Sequence, residues 1–240
     1  MKLTHLHERL LADILDIGSP YPLVLTGGYA VQAHGLVERF SRGRDVATEN
    51  PAPMREIVAS LTAGLSERGW RTTHVQTDPL SGRFLVTDPD TGEECEVDVL
   101  KEAFWAAPAQ TPYGPVLSLD DVIGTKVRTL ADRGTVRDLI DVQAASRRRS
   151  NADLESLGRL RAHDEFSLED LRDRLIGADW YEDEDYTAYG LTSRQIEGLK
   201  AWALEWAEGR IWVRGSMTRT PERRSSCPAP LPPLQREHAV

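Results

Sequence analysis

The chain has 240 residues, enough to bury a sizeable core as one domain or as one domain with a small helical appendage. Its formal net charge of −9 and pI near 5.2 exclude a global basic surface for nucleic acid, so a polynucleotide partner would have to meet a local patch. Two distant cysteines indicate a reducing compartment, and no apolar run reaches the roughly 18 residues of a membrane span, so we expect a cytoplasmic protein that meets no membrane.

The first predicted elements are a helix and a short strand that ends in two glycines. Leucine and isoleucine residues at helical spacing predict an amphipathic helix over residues 1–17. Residues 21–26 predict a buried strand, residues 29–35 predict a helix, and Gly27 and Gly28 stand between the two. A glycine turn from a buried strand into a helix brings backbone N–H groups together where a phosphate can bind.

The next part of the chain predicts a small α/β domain with a mixed sheet. Its elements are, in order, strand 44–48, helix 54–68 and strands 71–76, 83–87 and 94–100. Glu94, Glu96 and Asp98 share one face of the last strand and alternate with apolar residues. This alternation is expected either for an acidic site or for a plain half-exposed strand.

Aromatic and basic residues follow the last of these strands. Residues 101–117 predict a loop in which Phe104 and Trp105 either stack on a nucleotide base or pack as a lid over the core. In the helix predicted after this loop, Lys126 and Arg133 lie two turns apart on one face. The two cations either bind triphosphate or belong to a salt-bridged surface.

Acidic helices and a polar tail complete the chain. The predicted helices cover residues 152–161, 167–175 and 192–207. The basic patch Arg147–Arg149 either meets an RNA backbone or is an ordinary solvated helix end. The chain is therefore divided into an α/β core over 1–117, a helical region completing the site over 118–214, and a disordered tail over 215–240.

Two segments resemble the nucleotidyltransferase superfamily and, more closely, the AbiEii/AbiGii toxin family, which includes the MenT-like toxins. In the first segment the matching residues are Gly27, Gly28, Ala30, Arg39, Ser41 and Asp45. The second segment runs from Asp120 to Asp141 and carries a lysine, an arginine and then Arg-Asp-x-x-Asp. The resemblance implies a nucleotidyltransferase-like mixed β-sheet with flanking helices, followed by a helical C-terminal part.

The same resemblance implies a set of site residues. Asp45 and Asp98 would be the carboxylates that bind Mg²⁺ and, with Lys126, the catalytic residues. The substrate-binding residues would be Gly27, Gly28, Arg39, Ser41 and Arg133. Arg137, Asp138 and Asp141 would form a structural clamp.

The resemblance also implies a reaction and its partners. A nucleotide would be transferred from a nucleoside triphosphate in its magnesium complex to a hydroxyl of an RNA, such as a tRNA, or of a protein. An antitoxin protein would neutralise the activity. This reading makes the chain a metal-dependent nucleotidyltransferase.

One position departs from the family pattern. The first aspartate of Asp-x-Asp is replaced by Gly43, and Arg44 follows it. Glycine offers no oxygen to a metal, and the loss of a metal ligand lowers rates by orders of magnitude. The chain is then either an impaired transferase or a catalytically inactive nucleotide- or RNA-binding module of the same fold.

Overall fold

The computed structural model describes residues 4–38, 44–161, 166–213 and 216–219. Its helices are α1 (His5–Ile17), α2 (Gly27–Ala33), α3 (Met54–Glu67), α4 (Leu119–Arg133), α5 (Val136–Ser146), α6 (Asn151–Arg161), α7 (Leu168–Ile176), α8 (Asp183–Thr187) and α9 (Ser193–Ala207). Its strands are β1 (Val24–Leu25), β2 (Arg44–Thr48), β3 (Arg71–Thr77), β4 (Ser81–Thr87), β5 (Glu94–Lys101), β6 (Ala109–Thr111), β7 (Gly114–Val116), β8 (Arg210–Val213) and β9 (Ser216–Arg219). None of the helices in these ranges is both long and apolar enough to cross a membrane.

Seven strands form one mixed sheet in the order β3-β4-β5-β2-β1-β7-β6. The pairs β2–β5 and β1–β7 are parallel, and the other neighbours are antiparallel. The predicted α/β fold with a mixed sheet and a helical C-terminal part is confirmed. The parallel β2–β5 pair is the centre of this sheet, and it determines where the acidic residues meet.

One sheet face is covered by α1 and α3. Leu10 and Ile14 of α1 and Ile57 and Leu61 of α3 are fully buried in the same cluster as Val97 of β5. Burying each such side chain contributes about 1.5–3 kcal/mol to folding, so this face fixes the position of the strand. Because side chains alternate along β5, Glu96 and Asp98 are carried on its other face.

The second hydrophobic core is built by α4 to α9, and α4 joins it to the first. Val122 of α4 belongs to the core of the sheet, whereas Ile123 and Val127 belong to the helical core. Helix α4 ends at Gly134, which has φ +63°. The Thr135 hydroxyl then caps the start of α5 by accepting a hydrogen bond from the backbone N–H of Asp138. This junction holds α4 and α5 beside the sheet.

The prediction of a loop over 101–117 is wrong in its second half, which forms β6 and β7. The two strands are only three residues long and are joined by a two-residue turn, and Gly114 at the start of β7 has φ +112°. Strands this short have no alternation to recognise, and a proline within β7 argues against a strand. Phe104 packs against the core of the sheet, whereas the Trp105 side chain is exposed.

The described part of the chain ends in two short strands. β8 and β9 pair as an antiparallel hairpin, with Arg210 opposite Arg219. Residues 214–215 and 220–240 lie outside the described ranges, and the disordered tail over 215–240 stays a prediction. The division at residue 117 stays a prediction.

Candidate active site

Asp45 and Asp98 are direct ladder partners in the parallel pair β2–β5. Partner residues on neighbouring strands carry their side chains on the same face of a sheet, so the two carboxylates lie side by side. Both line one cavity of about 570 Å³. Gly27, Lys126 and Arg133 line the same cavity, although they come from α2 and α4.

The Asp45 carboxylate lies directly against the glycine turn. Gly27 has φ +57°, and a Cβ atom at this position would overlap Asp45 Oδ2. The carboxylate accepts the backbone N–H of Gly28, and the Asp45 carbonyl accepts the backbone N–H of Thr26 at 2.9 Å. The turn is therefore shaped to hold Asp45, and glycine is needed at position 27 for both backbone conformation and space.

Burial and the neighbouring Asp98 raise the pKa of Asp45. Burial is the larger cause, since it disfavours the charged form, and repulsion from Asp98 adds to it. Arg137 and Lys126 act in the opposite direction by stabilising the carboxylate. Asp45 thus lies in the electric field of two cations from α4 and α5.

Two ion pairs fix the helical side of the cavity. Lys126 Nζ lies 2.9 Å from Asp141 Oδ2, and both side chains are almost completely buried. Arg133 binds Asp138 through both Nε, at 2.9 Å, and Nη2, at 3.2 Å.

Asp138 is fully buried and also accepts the Thr135 hydroxyl at 2.6 Å. Burial raises its pKa, but the hydrogen bonds from Arg133 and Thr135 outweigh this and hold the pKa below its usual value. Asp138 therefore holds Arg133 in place as an anion, and Asp141 holds Lys126 through their ion pair.

Arg137 lies at the cavity, outside these two ion pairs. Its Nε is buried and has no hydrogen-bond partner among the described residues. The sequence pattern places Arg137 in a clamp with Asp138 and Asp141, and this clamp stays a prediction, although Asp138 pairs with Arg133 and Asp141 with Lys126. The motif Arg-Asp-x-x-Asp by itself does not say which cation pairs with which carboxylate.

Arg83 is a residue of the cavity that the sequence did not indicate. It is the ladder partner of Asp98 across β4 and β5, and its Nε and Nη2 bind the two carboxylate oxygens of Asp98 at 2.6 and 2.9 Å. Its Nη1 also lies 3.6 Å from Glu96 Oε1. Only the strand register reveals this contact, because the two residues are 15 positions apart.

The model of the family described as nucleotidyl transferase AbiEii toxin, type IV TA system, matches residues 9–208. The chain belongs to this family. AbiEii proteins are thus nucleotidyltransferase toxins of type IV toxin–antitoxin systems, and the match includes the whole cavity. No curated protein sequence matches the chain significantly.

Solved structures show that the chain has the fold of this group. MenT4, a nucleotidyltransferase toxin of Mycobacterium tuberculosis H37Rv, aligns with a TM-score of 0.56 at 16% identity over 84% of this chain and 82% of its own. A putative nucleotidyltransferase of H. pylori aligns with a TM-score of 0.54 at 19% identity, over 85% of this chain and 93% of its own. JHP933 of Helicobacter pylori aligns with a TM-score of 0.52 at 20% identity, over 86% of this chain and 90% of its own.

The roles predicted for individual residues stay predictions within this AbiEii framework. Arg39, Ser41 and Gly43 lie outside the described residues. Gly27, Asp45, Asp98, Lys126 and Arg133 line one cavity, and Gly28 contacts it through its N–H bond to Asp45.

Magnesium dependence is typical of nucleotidyltransferase families, but the donors in the part of the chain that the structure describes do not fit a two-ion centre. No group of three His, Cys, Asp or Glu side chains within the described ranges is placed to hold a metal ion. The undescribed segment Arg-Phe-Ser-Arg-Gly at 39–43 contains none of these residue types. The two oxygens of Asp98 are already bound to Arg83.

Proposed function

We propose that this AbiEii-family protein binds a nucleoside triphosphate in the cavity and transfers a nucleotide from it to a hydroxyl acceptor. The observation that carries this proposal is the meeting of Asp45 and Asp98 with Lys126, Arg133 and Arg137 around one cavity. A cavity of about 570 Å³ is of the size that small-molecule ligands use. The metal ion of a magnesium–triphosphate complex would enter as part of the substrate.

In the reaction the acceptor oxygen attacks the α-phosphorus, and the bond from this phosphorus to the oxygen that bridges to the β-phosphorus breaks. The hydroxyl proton goes to solvent, and pyrophosphate leaves with the bonding electron pair. Charge develops on the pyrophosphate as it departs, so cations placed there in advance lower the barrier. Lys126, Arg133 and Arg137 have this role in our proposal, since buried carboxylates or packing hold them at the cavity.

RNA is the acceptor that the surface favours over a protein. Arg147 and Arg148 are exposed at the C-terminal end of α5, whose first turn carries Arg137. The distance along the helix from Arg137 to Arg148 is about 16 Å at 1.5 Å per residue. An RNA whose terminal hydroxyl enters the cavity would therefore place its preceding phosphates near this patch.

Transfer of label from α-³²P-nucleoside triphosphates to total tRNA tests the proposal. We expect labelled RNA with the wild-type protein and a loss of label with Asp45→Asn, which keeps the size of the side chain. The variant Arg147→Gln/Arg148→Gln should weaken RNA labelling while leaving triphosphate binding intact. Binding of triphosphate without any transfer would favour the alternative, an inactive nucleotide-binding module.

Restoring the family pattern separates an impaired enzyme from such a module. The variant Gly43→Asp/Arg44→Val supplies the missing carboxylate and removes a charge beside it. If the wild-type protein is an impaired transferase, we expect transfer to rise by on the order of 100-fold. The gain should disappear when Asp45→Asn is added, because the restored site depends on both carboxylates.

A further inference from the structure

The Arg83–Asp98 pair places a guanidinium group where a metal-dependent transferase has a cation. Both oxygens of Asp98 are bound in the bidentate arrangement that guanidinium and carboxylate groups favour. The pair is fixed by the strand ladder, because Arg83 and Asp98 are opposite residues on β4 and β5. The arginine is half exposed and lines the cavity, so its charge is available there.

The remaining charges of the cavity are consistent with binding of an anion. Its described lining includes five cations (Arg83, Lys126, Arg128, Arg133 and Arg137) and four carboxylates (Asp45, Glu96, Asp98 and Glu102). Asp98 would repel a triphosphate strongly if it were uncompensated, since it stands next to Asp45. Arg83 cancels this repulsion without any ion from solution.

We propose that Arg83 supplies, at Asp98, the positive charge that a protein-bound metal ion supplies in two-metal transferases, so that the cavity binds a nucleoside triphosphate without a divalent cation. This inference rests on the proposed function, because it concerns the same cavity and the same ligand. Arg83 acts through Asp98 and is therefore a positioning residue. Its removal should not abolish binding but should make binding depend on a divalent ion.

The test is the binding of ATP, GTP, CTP and UTP by isothermal titration calorimetry, in buffer with magnesium and in buffer with EDTA. The wild-type protein should bind at least one triphosphate in both buffers, with dissociation constants within about threefold of each other. Arg83→Gln should bind about 10-fold more weakly in EDTA, and magnesium should restore most of the affinity. A salt bridge this exposed contributes little to stability, so the variant should fold, and circular dichroism checks this.

Two further variants control for charge. Arg128→Gln removes one positive charge from the same cavity, where Arg128 lies 3.5 Å from Glu102. It should weaken binding equally in both buffers, without creating a need for magnesium. Arg83→Gln/Asp98→Asn removes the carboxylate together with its arginine and should bind in EDTA again.

Three other outcomes would overturn the inference, and they differ in what they imply for the proposed function. Wild-type binding that occurs only with magnesium would overturn the inference while leaving the proposed function in place. Absence of binding in both buffers would overturn the proposed function and the inference with it. Equal behaviour of Arg83→Gln and Arg128→Gln would show that only the total charge matters, which also overturns the special role of Arg83.

Discussion

Replacing Lys126 by methionine tests whether the buried lysine supports the fold, the ligand site or both. Lys126 Nζ lies 2.9 Å from Asp141, and the exposed fractions of the two side chains are 6% and 0%. Methionine fills a similar volume but leaves Asp141 buried without its lysine. Removing one partner of a buried ion pair costs about 3–5 kcal/mol, whereas replacing the whole pair by two apolar side chains is often neutral.

The expected magnitudes follow from this asymmetry. Lys126→Met should lower the free energy of unfolding by about 3 kcal/mol, the lower part of the range measured when one partner of a buried pair is removed. For a chain of this size that corresponds to a fall in Tm of about 9 °C. Lys126→Met/Asp141→Leu should recover to within about 1 kcal/mol of the wild-type protein.

Urea unfolding followed by circular dichroism measures these differences, and calorimetry measures triphosphate binding by the same variants. Lys200→Met is the matched control, because Lys200 pairs with Asp183 at 3.0 Å but the Asp183 side chain is 61% exposed. Its cost should stay below about 1 kcal/mol. We expect the double variant to be stable and yet bind triphosphate weakly. The reasoning is refuted if the midpoint of urea unfolding of Lys126→Met equals that of the wild-type protein, or if the double variant is as unstable as the single one.

Two other predictions concern the glycine turn and the Asp138 anchor. Gly27→Ala should lower the free energy of unfolding by about 1–3 kcal/mol and abolish nucleotide transfer, because φ at this position is +57° and the new methyl group would overlap the Asp45 carboxylate. Urea unfolding measures the first effect and the labelling assay measures the second. Transfer at the wild-type level by the variant would contradict the packing argument. The pKa of Asp138 is held below its usual value by Arg133 and Thr135, so its contribution to stability is complete above pH about 4 and is lost as the pH falls through its folded-state pKa. The stability difference between the wild-type protein and Asp138→Asn should therefore be constant at neutral pH and shrink below pH about 4 in urea titrations, and a difference that is unchanged down to pH 2 would contradict this.

Much of the fold could be predicted from local patterns. The strand at 44–48 and the helix that begins at Met54 have the predicted starts, because a proline and a clear change of periodicity mark them. β6 and β7 could not be predicted, since three residues cannot show an alternating pattern. They are held by hydrogen bonds to each other and to β1, which are tertiary contacts.

Part of the lining of the cavity could be predicted from the sequence, but the pairings of its charged residues could not. The family motifs pointed to Asp45, Asp98 and Lys126, and the fold brings these residues to one cavity. The ion pairs depend on strand register and on the angle between α4 and α5, neither of which a sequence motif contains. Arg83 and Arg137 were missed as members of the cavity for this reason.

The replacement at position 43 and the guanidinium at Asp98 are connected by charge. Each uncompensated carboxylate repels a triphosphate, whereas a carboxylate that is bound by an arginine leaves a site that an anion can enter more easily. An aspartate at position 43 would add a negative charge two residues before Asp45 in the chain, and the ladder partner of Asp45, Asp98, is already compensated by Arg83. A second ion can bind there only if Asp98 exchanges its arginine for the metal, so the gain expected from Gly43→Asp is limited by the strength of the Arg83–Asp98 pair.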